Sequence, residues 1–310
     1  MVSFLAKLAQ YLGLRRLGDK AGASRKSPLR DANPSDADAN AQSTISRNAK
    51  ITRFFAAYLL TFLEEIGILA RLVGETVRWT FRRPFHVPQL LEAMRFIGVG
   101  SIFIVGLTGL FVGMVFSLQL VDGFRLFGAE NMVGGVIGIA LARELAPVFS
   151  ALMVSARAGS AMATQLGSMR ATAQIDALWT MAVQPVNFLV VPRVVAATLM
   201  VPLLTILFDL IGIFGAWLVG VKLLGLDPGI FVYRVRMLTD PTDVSQGLVK
   251  AACFGFALAV IACRQGYFAR GGAQGVGEAT NRAVVQSAVA ILVLDYFISD
   301  LILKFMRSSG

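Results

Sequence analysis

Leu141–Pro185 reads LARELAPVFSALMVSARAGSAMATQLGSMRATAQIDALWTMAVQP, and its interpretation decides the fold. An Arg143-Glu144 pair stands in apolar sequence. After it come Ala151, Ser155, Gly159, Ala163 and Gly167, small residues each four apart. Residues at that spacing share a helix face, and small ones let a second helix approach closely. The stretch ends in a short polar segment, Ser168 to Asp176, before hydrophobic sequence resumes near Phe188. It reads as a long membrane helix that carries a charged pair inside and leaves the bilayer through a short cytoplasmic helix.

The rest of the chain agrees with a membrane setting. Mean hydropathy is +0.68. Hydrophobic residues are 56% and charged residues 15% of the 310, against about 25% charged in soluble domains. The formal net charge of +10 would suggest nucleic acid in a soluble protein. Here it reads as positive charge retained on the cytoplasmic side, and no nucleic-acid partner is expected. Cys253 and Cys263 fall in one apolar run, about 15 Å apart on a helix, too far for a disulfide. They read as small buried hydrophobes. A single histidine, His86, excludes a histidine-rich metal site.

In chain order, residues 1–50 are expected as a cytoplasmic, largely disordered extension. Met1 to Arg16 is amphipathic without a signal-peptide cleavage site, and Leu17 to Lys50 is too polar to fold alone. Residues 51–96 combine apolar and basic sequence with Pro84 and Pro88, as in interfacial or elbow helices; a true span over Phe54 to Val73 is the competing reading. Residues 97–310 are expected to hold five spans. These are Ile97 to Val121, with GxxxG spacing at Gly109 and Gly113; Met132 to about Ala156; Val190 to Val221, with Pro192 and Pro202; Leu248 to Cys263; and Val284 to Phe305. Leu223 to Gly247 is placed outside the membrane. As loop charges, Arg157, Arg170 and Arg193 stand against Asp176 in one loop, and Arg234, Arg236 and Lys250 against Asp227, Asp240 and Asp243 in the next, so positive loops alternate with neutral ones. That puts the N-terminus in the cytoplasm and the C-terminus in the periplasm, with Lys304 and Arg307 counting mildly against it. The class is an all-α integral membrane protein, an interfacial helix plus five transmembrane helices.

The sequence holds no GxxxxGK[ST] loop, no HExxH and no CxxC pair, so ATP hydrolysis by this chain is not expected. Gly271 to Ala279 has GxG-like spacing but follows a membrane span, not a strand. Asp209, Asp295 and Asp300 are intramembrane acids. Helix–helix hydrogen bonding explains them, and a proton pathway in a stand-alone secondary transporter is the alternative; such a protein often shows inverted repeats, and none is visible. An intramembrane enzyme would need a Ser/His or metal constellation that is absent. Arg143 and Glu144 are open to two readings. They knit helices together, or they line a cavity, where the guanidinium fork matches phosphate oxygens and Leu145 meets acyl chain.

Four segments carry a family resemblance: GLFVGMVFSLQ (Gly109 to Gln119), LARELAPV (Leu141 to Val148), ARAGSAMATQLGSMRATAQIDALWTMAVQP (Ala156 to Pro185) and VVPRVVA (Val190 to Ala196). From about Thr80 to Phe305 the chain resembles the MlaE (YrbE) permeases of lipid-transporting ABC systems. The resemblance implies the MlaE-type permease fold as a homodimer in the bacterial inner membrane. It implies a cytoplasmic ABC ATPase dimer that holds the ATP and Mg, a periplasmic MCE-domain hexamer exchanging phospholipid, and in many systems a STAS-domain protein. By residue-wise carry-over it implies that Phe116, Gln119, Phe124, Phe127, Arg143, Glu144 and Leu145 approach the lipid. It likewise implies that a coupling helix near 168–178 meets the ATPase through Gly167, Ser168, Met169, Arg170, Ala171, Thr172, Gln174, Asp176 and Leu178. This chain has phenylalanines where relatives mix aliphatic and aromatic residues.

Overall fold

The computed structural model describes residues 67–68, 70–80 and 87–308. The expected N-terminal extension, residues 51–66 and His86 lie outside the described residues. Every regular element among the described residues is helical. A short helix, α1, covers residues 70–80. Five helices are long and apolar enough to cross a membrane: α2 (Val87–Arg125), α3 (Glu130–Ala171), α5 (Val186–Leu223), α7 (Pro241–Tyr267) and α8 (Gly272–Ser308). Two short helices complete the set, α4 (Gln174–Thr180) and α6 (Pro228–Leu238).

Local sequence sets the helix ends. Asp227 precedes Pro228 and its Oδ1 accepts the Ile230 N–H at 2.8 Å, so α6 begins there. Asp240 precedes Pro241 in the same way, and Asp243 Oδ2 accepts the Asp240 N–H at 3.0 Å. Proline fits the first helical turn because its missing N–H is unpaired there anyway. The expected fourth span therefore starts at Pro241 rather than Leu248, so Lys250 lies well inside the helix rather than at its start.

Residues 87–96 also differ from the expected separate elbow. They run straight into the first span through a π-helical segment, Arg95–Val99. Four more such segments occur in the long helices among the described residues: Leu141–Leu145 and Ser155–Gly159 within α3, and Val186–Val190 and Leu218–Leu223 at the two ends of α5. Arg157, read from sequence as a loop charge, belongs to one of these segments. Its Nη1 donates to the Phe96 carbonyl at 2.6 Å, and its guanidinium carbon lies 5.0 Å from the Phe96 ring centroid.

Close backbone contacts hold the bundle together. α2 runs along α5, with Gly109 and Gly113 facing Phe208 and Gly212. A Cβ on Gly109 would meet the Phe208 carbonyl oxygen at 3.0 Å, and one on Gly113 would collide with the Gly212 carbonyl. The stripe Ala151, Ser155, Gly159, Ala163 and Gly167 is buried along its length against α7 and α8. α7 is the central element, with 61% of its most apolar window buried, against 11% for α8. Apolar side chains such as Phe103, Phe111, Leu210, Phe214 and Phe297 point outward, as a bilayer solvent requires. Cys263 is buried, whereas Cys253 is exposed on α7, against expectation.

The paired contacts fix the topology. Arg143 meets Asp243, Ala163 faces Gly266, and Thr164 bonds Thr280. α3 and α7 therefore run parallel, and α8 returns antiparallel to both. Five crossings leave Val87 and Lys304 at opposite ends of the bundle.

Gly113→Ala should force α2 from α5 and lower stability by about 1–3 kcal/mol. Gly123→Ala, in the same helix with nothing within 4 Å of the added Cβ, should be neutral or stabilising, because alanine suits a helix better by about 0.5–1 kcal/mol. Thermal unfolding in detergent reads the opposite signs; equal effects would remove the packing assignment.

Candidate functional site

Arg143 and Glu144 lie in the π-helical segment Leu141–Leu145 of α3. Such wide turns recur at functional sites. Neighbours on a helix point in different directions, and these two find different partners on α7. Arg143 donates through Nε at 2.7 Å and Nη2 at 2.6 Å to Oδ1 of Asp243, whose side chain is 1% exposed. The same carboxylate caps α7 through Oδ2. One residue thus starts the helix and anchors it to α3.

Lys250, two turns on, is 3% exposed. Its ammonium donates to Glu144 Oε2 at 2.6 Å, to the Arg143 carbonyl at 3.0 Å and to Asp295 Oδ1 on α8 at 3.1 Å. A lysine ammonium has three N–H donors, and each has an acceptor here. Five ionisable groups from three spans form one cluster, and two of them escaped the sequence reading. Lys250 was counted with a loop, and Asp243 was taken for a loop charge. The signal that places them is Asp240-Pro241-Thr242-Asp243, whose spacing marks a helix start and puts Lys250 on an inward face.

The cluster is not uniformly buried. Glu144 keeps 50% of its side chain exposed and Arg143 37%. Leu145 is half-buried against the core. The other residues expected near lipid sit on α2 and the turn that follows it. Phe116 and Phe124 are half-buried and packed on the core, Gln119 is exposed, and Phe127 is 84% exposed. Of the intramembrane acids, Asp295 belongs to the cluster and Asp300 pairs with Lys304 at 2.7 Å. Asp209 Oδ1 is buried without a hydrogen-bond partner among the described residues.

At the other end of α3, the expected coupling helix is two helices meeting at a corner. Gly167, Ser168, Met169, Arg170 and Ala171 form the last turn of α3, with Gly167 buried beside Val276 and Ala269. Thr172 closes the turn, its hydroxyl donating to the Ser168 carbonyl at 2.9 Å. Ala173 then takes a left-handed conformation, φ 58, which costs a non-glycine residue about 1–2 kcal/mol. Gln174 opens α4, Ile175 is buried, and Leu178 packs inward. Arg170 Nη1 and Asp176 Oδ1 bridge the corner at 2.6 Å. Ser168, Ala171, Thr172, Gln174 and Asp176 form an exposed polar surface.

The profile of the family described as permease MlaE matches residues 90–301. A probable ABC transporter permease protein of Rickettsia prowazekii is 36% identical over 255 residues, covering 82% of this chain and 98% of its own length. Another from Synechocystis is 42% identical, covering 75% and 89%. The intermembrane phospholipid transport system permease protein MlaE of Haemophilus influenzae is 39% identical, covering 69% and 82%. The chain belongs to the MlaE family of ABC transporter permeases.

Lys250→Met leaves the Glu144 and Asp295 carboxylates without their cation. Removing one partner of a buried pair costs about 3–5 kcal/mol, whereas Lys304→Met, at an exposed pair, should cost under about 1 kcal/mol. Thermal unfolding in detergent separates them, and equal midpoints would show that the cluster does not anchor the spans.

Proposed function

We propose that this permease moves phospholipid between the inner membrane and a periplasmic MCE-domain carrier, as one half of a homodimer driven by a cytoplasmic ABC ATPase. The observation that carries the reading is the exposure of Glu144. It lies about 20 Å along α3 from Glu130 at 1.5 Å per residue, mid-bilayer if α3 enters near that residue. An exposed carboxylate at that depth is costly against acyl chains, so this face meets water, a headgroup or a second copy. Two copies about a two-fold axis place two such faces opposite each other.

In this cavity Arg143 is held by Asp243 and contributes through its remaining exposed edge, while Leu145 offers apolar contact. Phe116, Gln119, Phe124 and Phe127 extend the wall along α2. Support for phospholipid as cargo is the similarity to the Haemophilus permease. ATP hydrolysis belongs to the partner, because the sequence has no phosphate-binding loop. The α3–α4 corner is the ATPase contact, since it projects exposed polar groups from the end of the same helix that carries Glu144. Basic residues at this end, Arg170, Arg270 and Arg282 among them, favour the cytoplasm for it. The N-terminal side of α2 is then cytoplasmic and Lys304 periplasmic.

A photo-crosslinker at Leu145 of the assembled transporter should capture phospholipid that survives detergent washing, and more of it than one at Leu210, which faces outward on α5. Equal capture, or none at Leu145, would place the cavity elsewhere. Arg170→Glu and Asp176→Lys should leave membrane insertion intact, because an exposed pair contributes less than about 1 kcal/mol. Each should weaken ATPase association or uncouple hydrolysis. Normal assembly and transport in both variants would remove the coupling assignment.

A further inference from the structure

A cavity of about 340 Å³ opens where α2 and α5 begin and α3 ends, at the opposite end of the bundle from Asp243. Its lining includes Gln89, Glu92 and Phe96 of α2, Met162 of α3, and Phe188 and Arg193 of α5. The depth is that of a membrane interface. Phe96 and Phe188 sit at the edges of the first and third apolar runs, beside Arg157 bonded to the Phe96 carbonyl.

The polar groups in this cavity are incompletely matched. Arg193 donates to the Leu189 carbonyl at 2.6 Å and, at a long 3.5 Å, to Gln165 Oε1. Among the described residues no carboxylate pairs with it. Glu92 is exposed and forms no ion pair there either. Gln89 Oε1 is buried and has no hydrogen-bond donor among the described residues. A buried acceptor without a donor is a costly state that a ligand can relieve.

We infer that this cavity binds the headgroup of an aminophospholipid from the leaflet at this end of the bundle. The phosphodiester meets the Arg193 guanidinium, whose fork suits phosphate oxygens. The primary ammonium donates to Gln89 Oε1 and to Glu92. Phe96, Met162 and Phe188 contact the glycerol and the first methylenes. One cation, one anion and one neutral acceptor complement a zwitterion with N–H donors. A choline headgroup has no N–H to offer, and a glycerol headgroup has no cation. The assignment extends the lipid-permease reading to a second site, and its test reads binding rather than transport.

The full chain is purified in detergent with equimolar phosphatidylethanolamine, phosphatidylcholine and phosphatidylglycerol, and retained lipid is counted by native mass spectrometry. Phosphatidylethanolamine should be retained about tenfold over each of the others, the size expected of one charge-assisted hydrogen bond. Glu92→Gln and Gln89→Leu should each erode that preference, and Arg193→Gln should lower retention of all three. Asp300→Asn, in an exposed pair with Lys304 at the other end of the bundle, should leave the preference intact. Equal retention of the three lipids overturns the assignment, as does a preference that survives both Glu92→Gln and Gln89→Leu or one lost in Asp300→Asn. Thermal protection by free phosphoethanolamine without lipid retention would show a soluble ligand and overturn the lipid assignment.

Discussion

Burying an ammonium in a bilayer is tolerable only if the protein replaces the water it loses, and Lys250 has every donor matched by an oxygen of α3 or α8. The arrangement constrains much of the bundle. Glu144 and the Arg143 carbonyl must come from adjacent residues of α3, which sets the rotation of that helix. Asp295 must lie at the same depth, which sets the register of α8. Asp243, seven residues before Lys250, locks the start of α7 to Arg143. Charges are expensive here, so a slip by one residue in any of the three helices would leave at least one of them unpaired. Small residues supply the close approach that these short bonds require. Gly247 of α7 lies against the Ala142 backbone, one residue before Arg143.

α3 joins this cluster to the corner at Ala173. At about 60 Å it is twice the thickness of the hydrocarbon core. Its middle is held by small residues with α7 and α8 close against them. Thr164 bonds Thr280 and Gly167 lies beside Val276, so α8 accompanies α3 from the corner up to the cluster. The two regions of chemical interest are therefore ends of one packed body rather than separate parts joined by a loop.

Much of this was legible in the sequence because membranes simplify the code. Apolar runs marked all five crossings, and fourfold spacing of small residues marked the α3 face that is buried. What remained hidden was pairing across the chain. Arg143 and Glu144 announce that charges enter the membrane, but nothing near them shows that their partners lie about a hundred residues on. Lys250 was misread because hydropathy averages over a window and places the start of α7 too late. The capping residues Asp240 and Asp243 carry the correct boundary. The corner at Ala173 was hidden for a different reason: an alanine in a left-handed conformation has no sequence signature, since glycine is the residue expected there. Arg157 looked like a loop charge, yet its guanidinium is absorbed by the Phe96 carbonyl and ring.

The π-helical turns in α3 also govern angular phase. Each residue of an α-helix advances the azimuth by about 100°, so one residue more or fewer in Leu141–Leu145 would rotate everything from Ala146 to Ala171 about the helix axis relative to Glu130. The wide turn is therefore a fixed angular offset between the two parts of the span that it joins. With this offset the charged residues and the stripe beyond them both meet α7 and α8, the former at Asp243, Lys250 and Asp295 and the latter at Ala262 and Val276. Length variation along this helix is thus governed by angle as well as by reach.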